Sequence, residues 1–197
     1  KLIRFALLLI GRLPGNLAHA GIVSSMFFGG ITGSAQASAS CMGGILIPAM
    51  KKEGYSVKEA AGVISAAAVC GPIIPPSIIM VVYATAVGAS VGSMFMGGIL
   101  PGLLIGFSLM FIVILRDRVC HFPRRTEKLT SAEIKKSLLD AIIPLGMPLI
   151  VVGGIMGGIC TATEAGAIAV VYSLIVSLFI IRTLTFKDLW PILLNAV

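Results

Sequence analysis

The sequence contains few of the residues that carry enzyme chemistry. Of its 197 residues, 12% are charged and 7% are aromatic, and there are only two histidines and eight acidic residues. The HExxH, GxSxG and paired-carboxylate arrangements are absent from it. An intramembrane serine protease would need Ser34 and His19 in contact, yet a separation of fifteen residues is roughly 22 Å along a helix. The sequence therefore does not predict an enzyme.

The chain also lacks the composition of a soluble domain. Its hydrophobic residues make up 57% of the total, and its mean hydropathy is +1.06, which is typical of an all-α membrane protein. The four cysteines form no CxxC pair and indicate neither a metal site nor a disulfide framework. Runs long enough to cross a bilayer are Val57–Val87, Ser93–Leu115, Ala141–Ile159 and Ala165–Ile181.

The net charge of +7 is placed in a way that argues against nucleic-acid binding. The connections 88–92 and 159–163 contain no lysine or arginine. The basic residues instead flank apolar runs, in Lys1–Arg12, Lys51–Lys58, Arg116–Lys136 and Arg182–Lys187. Alternation of basic and non-basic connections is the positive-inside pattern, so it predicts a multi-pass membrane protein with its basic loops in the cytoplasm.

Three prolines and a glycine interrupt the first long apolar run, at Gly71-Pro72-Ile73-Ile74-Pro75-Pro76-Ser77. A helix entering from Ala60 is predicted to stop near Cys70 and to restart after Pro76. Gly71 is expected to take a left-handed turn, and Pro75 or Pro76 to occupy the first position of the next helix. Within a membrane, the freed backbone groups need an ion, a ligand, a buried partner or a wet cavity.

A second discontinuity lies in residues 17–50, where two apolar arms flank the polar stretch Thr32-Gly33-Ser34. Each arm is short of the roughly twenty residues that a crossing needs. Basic clusters on both sides require an even number of crossings or none. We predict a re-entrant helical hairpin that enters from the cytoplasm and turns back at this tip; two thin, tilted spans are the alternative.

The remaining segments are predicted from apolar length and capping signals. Ser56-x-x-Glu59, Thr130-x-x-Glu133 and Thr161-x-x-Glu164 have the form of capping boxes. We expect a kink at Pro101 and an inward turn at Pro144. The predicted segments are 1–16, the end of a helix and a cytoplasmic turn; 57–88, a proline-broken transmembrane helix; 93–115, a transmembrane helix; 116–142, a cytoplasmic loop and an interfacial arm helix; 143–160 and 161–182, transmembrane helices; and 184–197, the start of a second arm helix.

The arm helix is similar to a later part of the chain. Residues 129–142 align without gaps on residues 184–197, with matching leucines and a shared threonine near the start. This similarity predicts an internally repeated architecture, of which the chain holds one repeat and the start of another. Because the sequence also begins without methionine, we expect a fragment of a longer protein.

Few side chains outside the two discontinuities suggest chemistry. Glu164 is a single carboxylate in an apolar region and is a candidate for proton or cation coupling, but a helix cap explains it better. His19 is expected to be a packing residue. Broken helices are the elements from which secondary transporters build midplane sites. Helix C-terminal carbonyls and hydroxyls suit Na⁺, and helix N-termini suit an anion; close packing and a simple kink are the alternatives.

Four motifs resemble one family, and they cover nearly the whole chain. They are Gly30-Ile31-Thr32-Gly33-Ser34-Ala35, Ile47-Pro48 with Gly54-Tyr55, Gly71–Ser77, and Thr161-Ala162-Thr163-Glu164-Ala165. The chain resembles the large membrane subunit of tripartite ATP-independent periplasmic (TRAP) transporters. That resemblance implies one of two inverted repeats of an elevator transporter of the ion-transporter-superfamily type. It also implies Na⁺-driven import of a small organic acid, such as a sialic acid or another sugar acid or a dicarboxylate, with a small four-helix membrane subunit and a periplasmic substrate-binding protein as partners.

The resemblance also implies site residues. The coupling ion Na⁺ would bind at Thr32, Gly33, Ser34, Gly71, Pro72 and Pro75, and the substrate at Ser34, Gln36, Ser38, Pro76 and Ser77; no organic cofactor is implied. The chain departs from the family's common pattern at Thr32, near Ser38 and at Ala162, where serine, an acidic residue and proline are frequent. The alternatives are a Na⁺- or H⁺-coupled anion transporter without a binding protein, and a passive anion channel.

Overall fold

The computed structural model describes residues 2–10, 13–120, 122–123, 131–182, 184–185, 189–192 and 194, and over these residues the chain is helical without strands. The predicted Thr130–Glu133 capping box and half of the predicted second arm helix fall outside the described residues. The helices are α1 (Leu2–Ile10), α2 (Asn16–Thr32), α3 (Ala35–Lys52), α4 (Val57–Ala68), α5 (Ile78–Val87), α6 (Val91–Cys120), α7 (Ser131–Met156) and α8 (Ala162–Ile175), the last continuing as the π-helical segment Val176–Ile180.

The core forms around the hairpin of α2 and α3, against which α4 packs. Ile22 of α2, Leu46 and Met50 of α3, and Ile64 of α4 are buried in one cluster. Burial extends along most of α2 and includes the polar residues Asn16 and His19. His19 is fully buried at 0% exposure, as expected for a packing residue. Among the described helices α2 is therefore the most extensively buried, whereas α3 buries only the side that carries Ser38, Met42, Leu46 and Met50.

Two aromatic rings stack at the end of the hairpin opposite its tip. The rings of Tyr55, in the turn between α3 and α4, and Phe122, after α6, stack with centroids 5.2 Å apart and planes 21° apart. Burial raises the pKa of Tyr55 to about 12, so its hydroxyl stays neutral at physiological pH. Gly54 beside it has φ 95°, a left-handed conformation that suits glycine. This turn fixes the separation of α3 and α4 at the basic end of the hairpin.

Two helical segments are long and apolar enough to cross a bilayer. They are Val91–Arg118 and Ala162–Ile180, and α5 and Ala141–Met156 are shorter apolar helices. Large side chains on the first segment stand exposed, with Leu104 at 58%, Phe107 at 61% and Phe111 at 60%. Apolar surface of this extent requires a lipid or protein cover. The chain is therefore an all-α membrane protein.

Several predicted helix ends differ from those in the structure. Pro144 lies inside α7 with Pro148, so the predicted segment boundary at residue 143 is absent. Likewise α6 continues through Pro101 and extends to Cys120, past the predicted end at residue 115. Prolines are tolerated within membrane helices because neighbouring groups satisfy the freed carbonyl. The box at Ser56 and Glu59 is confirmed: the Ser56 Oγ accepts from the Glu59 N–H at 3.2 Å, and the Glu59 carboxylate accepts from the Ser56 N–H at 3.3 Å.

Candidate functional site

The tip of the hairpin is a tight turn built by Gly33. This glycine caps α2 with φ 62°, and its N–H donates to the Gly29 carbonyl at 2.7 Å. Ser34 then caps α3, its Oγ accepting from the Ala37 N–H at 3.4 Å. The Thr32 hydroxyl lies 3.2 Å from the Phe28 carbonyl oxygen and 3.2 Å from the Ser38 Oγ. The tip therefore gathers hydroxyl and carbonyl oxygens within a few residues.

The break between α4 and α5 is organised by Ser77. The Ser77 Oγ donates to the Pro72 carbonyl at 2.6 Å and accepts from the Met80 N–H at 3.3 Å. It therefore caps the N-terminus of α5 and holds the residues of the break in a closed loop. The Ser77 side chain is buried at 1% exposure, so both bonds are sheltered from solvent. The Pro75–Pro76 peptide bond is cis.

Two predictions about how the break forms were wrong. Gly71 does not have a positive φ; instead α4 ends in tightened turns in which the Cys70 and Gly71 N–H groups donate to the carbonyls three residues earlier. Pro75 and Pro76 do not begin α5, because Ser77 takes the capping position and Ile78 is the first helical residue. The glycine is needed for space, because a Cβ on Gly71 would lie 3.0 Å from the Ser34 carbonyl oxygen.

The tip and the break pack backbone against backbone. A Cβ on Gly29 would lie 2.7 Å from the Gly71 Cα, and one on Gly33 would lie 2.8 Å from the Ile78 backbone nitrogen. A Cβ on Gly30 would lie 3.1 Å from the Pro75 carbonyl oxygen. The spacings at Gly29 and Gly33 exclude a Cβ, and the spacing at Gly30 is tight, so glycines allow the two discontinuities to meet. The sequence places the two breaks 37 residues apart from Ser34 to Gly71, and the fold brings them into contact.

The predicted site residues lie at the hairpin tip or at the helix break, and they differ in how deeply they are buried. Gly33, Ser38, Gly71, Pro75 and Ser77 are buried. Thr32, Ser34, Pro72 and Pro76 are half-buried, and Gln36 is exposed. The Gln36 side chain accepts a hydrogen bond from the Ser34 Oγ at 3.2 Å. The hydroxyls of Ser38 and Ser77 have partners within the tip and the break, Thr32 for Ser38 and the Pro72 carbonyl for Ser77.

A cavity of about 360 Å³ opens beside the contact between the hairpin tip and the helix break. Thr32, Pro76 and Ser77 line one side of it, and Val151 of α7 and Gly166 of α8 line another. Its lining includes the first residues of two helices, Ile78 of α5 and Ala162 and Thr163 of α8. Sequence reasoning missed the contribution of α7 and α8, and it also missed the need for glycine at position 29. The Gly29-Gly30 pair before the tip was the available signal for the latter.

The candidate site offers two kinds of binding group, which are uncharged oxygen ligands and helix termini. Among the described residues, no group of three His, Cys, Asp or Glu side chains is arranged to hold a metal ion. Carbonyl and hydroxyl oxygens instead surround the tip and the break, and such ligands suit alkali and other hard cations. The N-terminus of α5, capped by the neutral Ser77 hydroxyl, carries positive partial charge that favours an anion. At the N-terminus of α8 the Glu164 carboxylate already fills that role.

Glu164 forms the predicted helix cap. Its Oε2 accepts from the Thr161 N–H at 2.7 Å and from the Thr161 Oγ1 at 2.9 Å, while the Thr161 Oγ1 accepts from the Glu164 N–H at 3.3 Å. The carboxylate is exposed and satisfied within its own turn. The cap therefore accounts for this residue without a coupling role.

Replacing Glu164 with glutamine is expected to leave transport by the full-length protein at the wild-type rate. Glutamine keeps an oxygen acceptor for both donors of Thr161, so the cap persists without the charge. Glu164→Ala, which removes the acceptor, is expected to lower the Tm slightly and also to leave transport intact. Loss of transport in Glu164→Gln at an unchanged Tm would contradict the cap assignment and indicate a role for the charge.

A helical hairpin packed on a proline-broken helix, with membrane-length helices beside it, belongs to the class of membrane transport permeases. Residues 1–197 match the family model described as "Tripartite ATP-independent periplasmic transporter, DctM component". The chain therefore belongs to the DctM family of TRAP transporter large permeases, as the sequence motifs indicated, and it is not an enzyme.

Curated relatives support this assignment along the whole chain. It is 36% identical over 196 residues to the "2,3-diketo-L-gulonate TRAP transporter large permease protein YiaN" of Escherichia coli (strain K12), covering 100% of this chain and 46% of the relative. It is 43% identical over 182 residues to the "C4-dicarboxylate TRAP transporter large permease protein DctM" of Vibrio cholerae, covering 92% and 40%. It is 32% identical over 197 residues to the "Sialic acid TRAP transporter permease protein SiaT" of Haemophilus influenzae, covering 100% and 32%. The chain thus spans less than half the length of these relatives.

Proposed function

We propose that this chain forms one half of the transport machinery of a Na⁺-coupled importer of small organic anions. The contact between the hairpin tip and the helix break carries the proposal. In it, two interruptions of helical hydrogen bonding meet within van der Waals distance, where a membrane supplies no water to satisfy them. The full-length protein completes the site with a related second hairpin and second broken helix.

Na⁺ binding is supported by the kind of ligand gathered at this contact. The Ser34 carbonyl oxygen lies against Gly71, and the Pro76 and Pro75 carbonyl oxygens lie against Gly33 and Gly30. Thr32 adds a hydroxyl at the same tip. An uncharged oxygen cage of this kind binds a monovalent cation without the strong retention that a carboxylate cage gives, which suits an ion that must be released on each cycle.

An anionic substrate is supported by the cavity beside the site. Its volume of about 360 Å³ falls within the roughly 300–1,000 Å³ typical of small-molecule sites. The N-terminus of α5 lines it and attracts a carboxylate. The named substrates of three relatives, a diketogulonate, a C4-dicarboxylate and sialic acid, are acids of this size class.

The arrangement in the membrane and the partners complete the proposal. The hairpin is re-entrant, the basic loops face the cytoplasm of a bacterial inner membrane, and the hairpin and broken helix move together in an elevator motion. A small membrane subunit and a periplasmic substrate-binding protein act with the large subunit, as the tripartite family description implies. One relative, of Oleidesulfovibrio alaskensis, carries the combined name DctMQ.

Uptake in proteoliposomes that contain the full-length complex tests this function. Labelled C4-dicarboxylate and sialic acid are supplied under an inward Na⁺ gradient, under an inward H⁺ gradient or without a gradient, each with and without the binding protein. We expect accumulation of at least one acid only with both the Na⁺ gradient and the binding protein. Accumulation without the binding protein, or driven by H⁺ alone, would support the simpler anion transporter, and equilibration without any gradient would support a channel.

A further inference from the structure

A second cavity lies between α4 and the C-terminal half of α6, with Ile22 of α2 also in its lining. Its volume is about 560 Å³. We call it the α4–α6 groove. Its lining residues are Ile22, Ser56, Lys58, Glu59, Gly62, Val63, Ala66, Leu109, Ile112, Val113, Arg116 and Phe122. None of these residues belongs to the candidate ion or substrate site.

The groove changes from polar to apolar along its length. Its polar end holds Ser56, Lys58, Glu59 and Arg116, which all lie at the end of the protein that carries the basic loops. Ala66 lies eight residues beyond Lys58 along α4, about 12 Å at helical rise. Leu109 lies seven residues before Arg116 along α6, about 10 Å in the same direction. The groove therefore runs from the membrane interface toward the bilayer interior, with its charges at the interface.

The polar end holds two cations, Lys58 and Arg116, and one carboxylate, Glu59, which attracts Arg116 electrostatically. The Glu59 carboxylate is engaged by Ser56, whose Oγ donates to it at 2.7 Å in the capping box. The Arg116 Nη2 donates only to the Cys120 sulfur, at 3.7 Å. Within the described part of the chain, neither Lys58 nor Arg116 forms an ion pair with a carboxylate. Both side chains are exposed, so the polar end of the groove carries two positive charges and the single negative charge of Glu59, which leaves it net positive.

We propose that the α4–α6 groove binds a membrane glycerophospholipid. Its phosphate lies between Lys58 and Arg116, and one acyl chain lies along the apolar walls formed by Val63, Ala66 and Leu109. An arginine and a lysine suit a phosphate, the first through paired N–H donors and the second as a point charge. The groove is polar at the interface and apolar toward the bilayer interior. A glycerophospholipid has its anionic phosphate and its acyl chains in the same arrangement. A water-soluble phosphate would leave the apolar walls uncovered, and so would not fill the groove.

Gly62 provides a way to block the groove without altering its charges. A Cβ at this position meets no atom within 4 Å, and the residue is exposed on the groove side of α4. Leucine there extends into the apolar part of the groove and favours the helix, because glycine is the poorer helix former by about 1 kcal/mol. Arg118 offers a matched control for Arg116, since it is an exposed arginine on the same helix end that does not line the groove.

Native mass spectrometry of the purified full-length complex tests the proposal, with phosphatidylglycerol as the added lipid. Diacylglycerol with the same chains and glycerol 3-phosphate serve as probes that lack the phosphate and the chains, respectively. We expect one phosphatidylglycerol retained per large subunit beyond the background, and little retention of either control probe. Lys58→Gln with Arg116→Gln, and separately Gly62→Leu, are expected to reduce that retained lipid at least tenfold, whereas Arg118→Gln leaves it unchanged.

Each other outcome counts against the proposal. Equal retention in the double variant and in Gly62→Leu would place the lipid elsewhere. Retention of glycerol 3-phosphate that Gly62→Leu does not affect would indicate a phosphate site without a lipid. Cross-linking of a cysteine placed at Gly62 to another protein segment of the complex would show that protein, rather than lipid, fills the groove. The Tm of each variant, measured in parallel, confirms that the complex is folded.

Discussion

Replacing Gly29 with alanine is expected to abolish Na⁺-dependent uptake by the full-length complex. The added Cβ would lie 2.7 Å from the Gly71 Cα and 3.1 Å from its backbone nitrogen. Because both neighbours are backbone atoms, no side-chain rotation relieves the clash, and the tip must move away from the break. We expect at least a tenfold loss of the initial uptake rate in proteoliposomes, together with a lower Tm.

Gly44 on α3 provides the matched control. It is also a glycine within a hairpin helix, but a Cβ there meets no atom within 4 Å. Gly44→Ala is therefore expected to retain wild-type uptake and to leave stability equal or slightly improved, by up to about 1 kcal/mol. Wild-type uptake in Gly29→Ala, or equal losses in both variants, would contradict the close contact between tip and break.

Replacing Ser77 with alanine is expected to be the second severe change. The Ser77 Oγ makes two buried hydrogen bonds, to the Pro72 carbonyl and from the Met80 N–H. Its removal leaves both partners unsatisfied, at a cost of about 1–3 kcal/mol, and removes the cap of α5. We expect a lower Tm and a several-fold loss of uptake, because the α5 N-terminus lines the substrate cavity.

Thr85→Ala, also on α5, is the control for Ser77→Ala. It shows whether losing any side-chain hydroxyl that hydrogen-bonds to the backbone has the same consequence. The Thr85 Oγ1 also donates to backbone carbonyls, those of Val81 and Val82, but the side chain is exposed. Its removal is expected to change stability by less than about 0.5 kcal/mol and to leave uptake intact. If Ser77→Ala behaved like Thr85→Ala in both measurements, Ser77 would not organise the break.

Local chemistry made the two discontinuities predictable from the sequence. Prolines at 72, 75 and 76 exclude a continuous helix, and the structure ends α4 at Ala68 and begins α5 at Ile78. The polar tip with Gly33 predicts a hairpin turn, and α2 and α3 meet there. The capping boxes at Ser56 and Thr161 were visible for the same reason, because each depends on residues three positions apart.

The errors arose where packing decides the outcome. Glycine commonly ends helices in a left-handed turn, which is why the sequence predicts one at Gly71. In the structure Gly71 instead packs against the Ser34 carbonyl of the hairpin tip. Pro144 was expected to end a segment, yet α7 continues through it. Residues of α7 and α8 also line the cavity. Their position depends on tertiary contacts, which short sequence motifs do not predict. Proline and glycine thus reveal from the sequence where helices break. Which segments pack against those breaks depends on the tertiary fold.

The Na⁺ concentration that gives half-maximal uptake is the most direct test of the proposed ion site. It is measured in proteoliposomes for the wild-type complex, Ser34→Ala, Pro75→Ala and Ser34→Thr. We expect the two alanine variants to raise this concentration at least tenfold or to lose uptake entirely. The backbone carbonyls remain in both variants, but Ser34→Ala removes the Oγ that caps α3 at the tip, and Pro75→Ala removes the ring that restricts the backbone of the break. Ser34→Thr, which keeps the hydroxyl, is expected to stay close to wild type. Undiminished uptake with an unchanged Na⁺ dependence in both alanine variants would contradict the assignment of the tip and the break to the coupling ion.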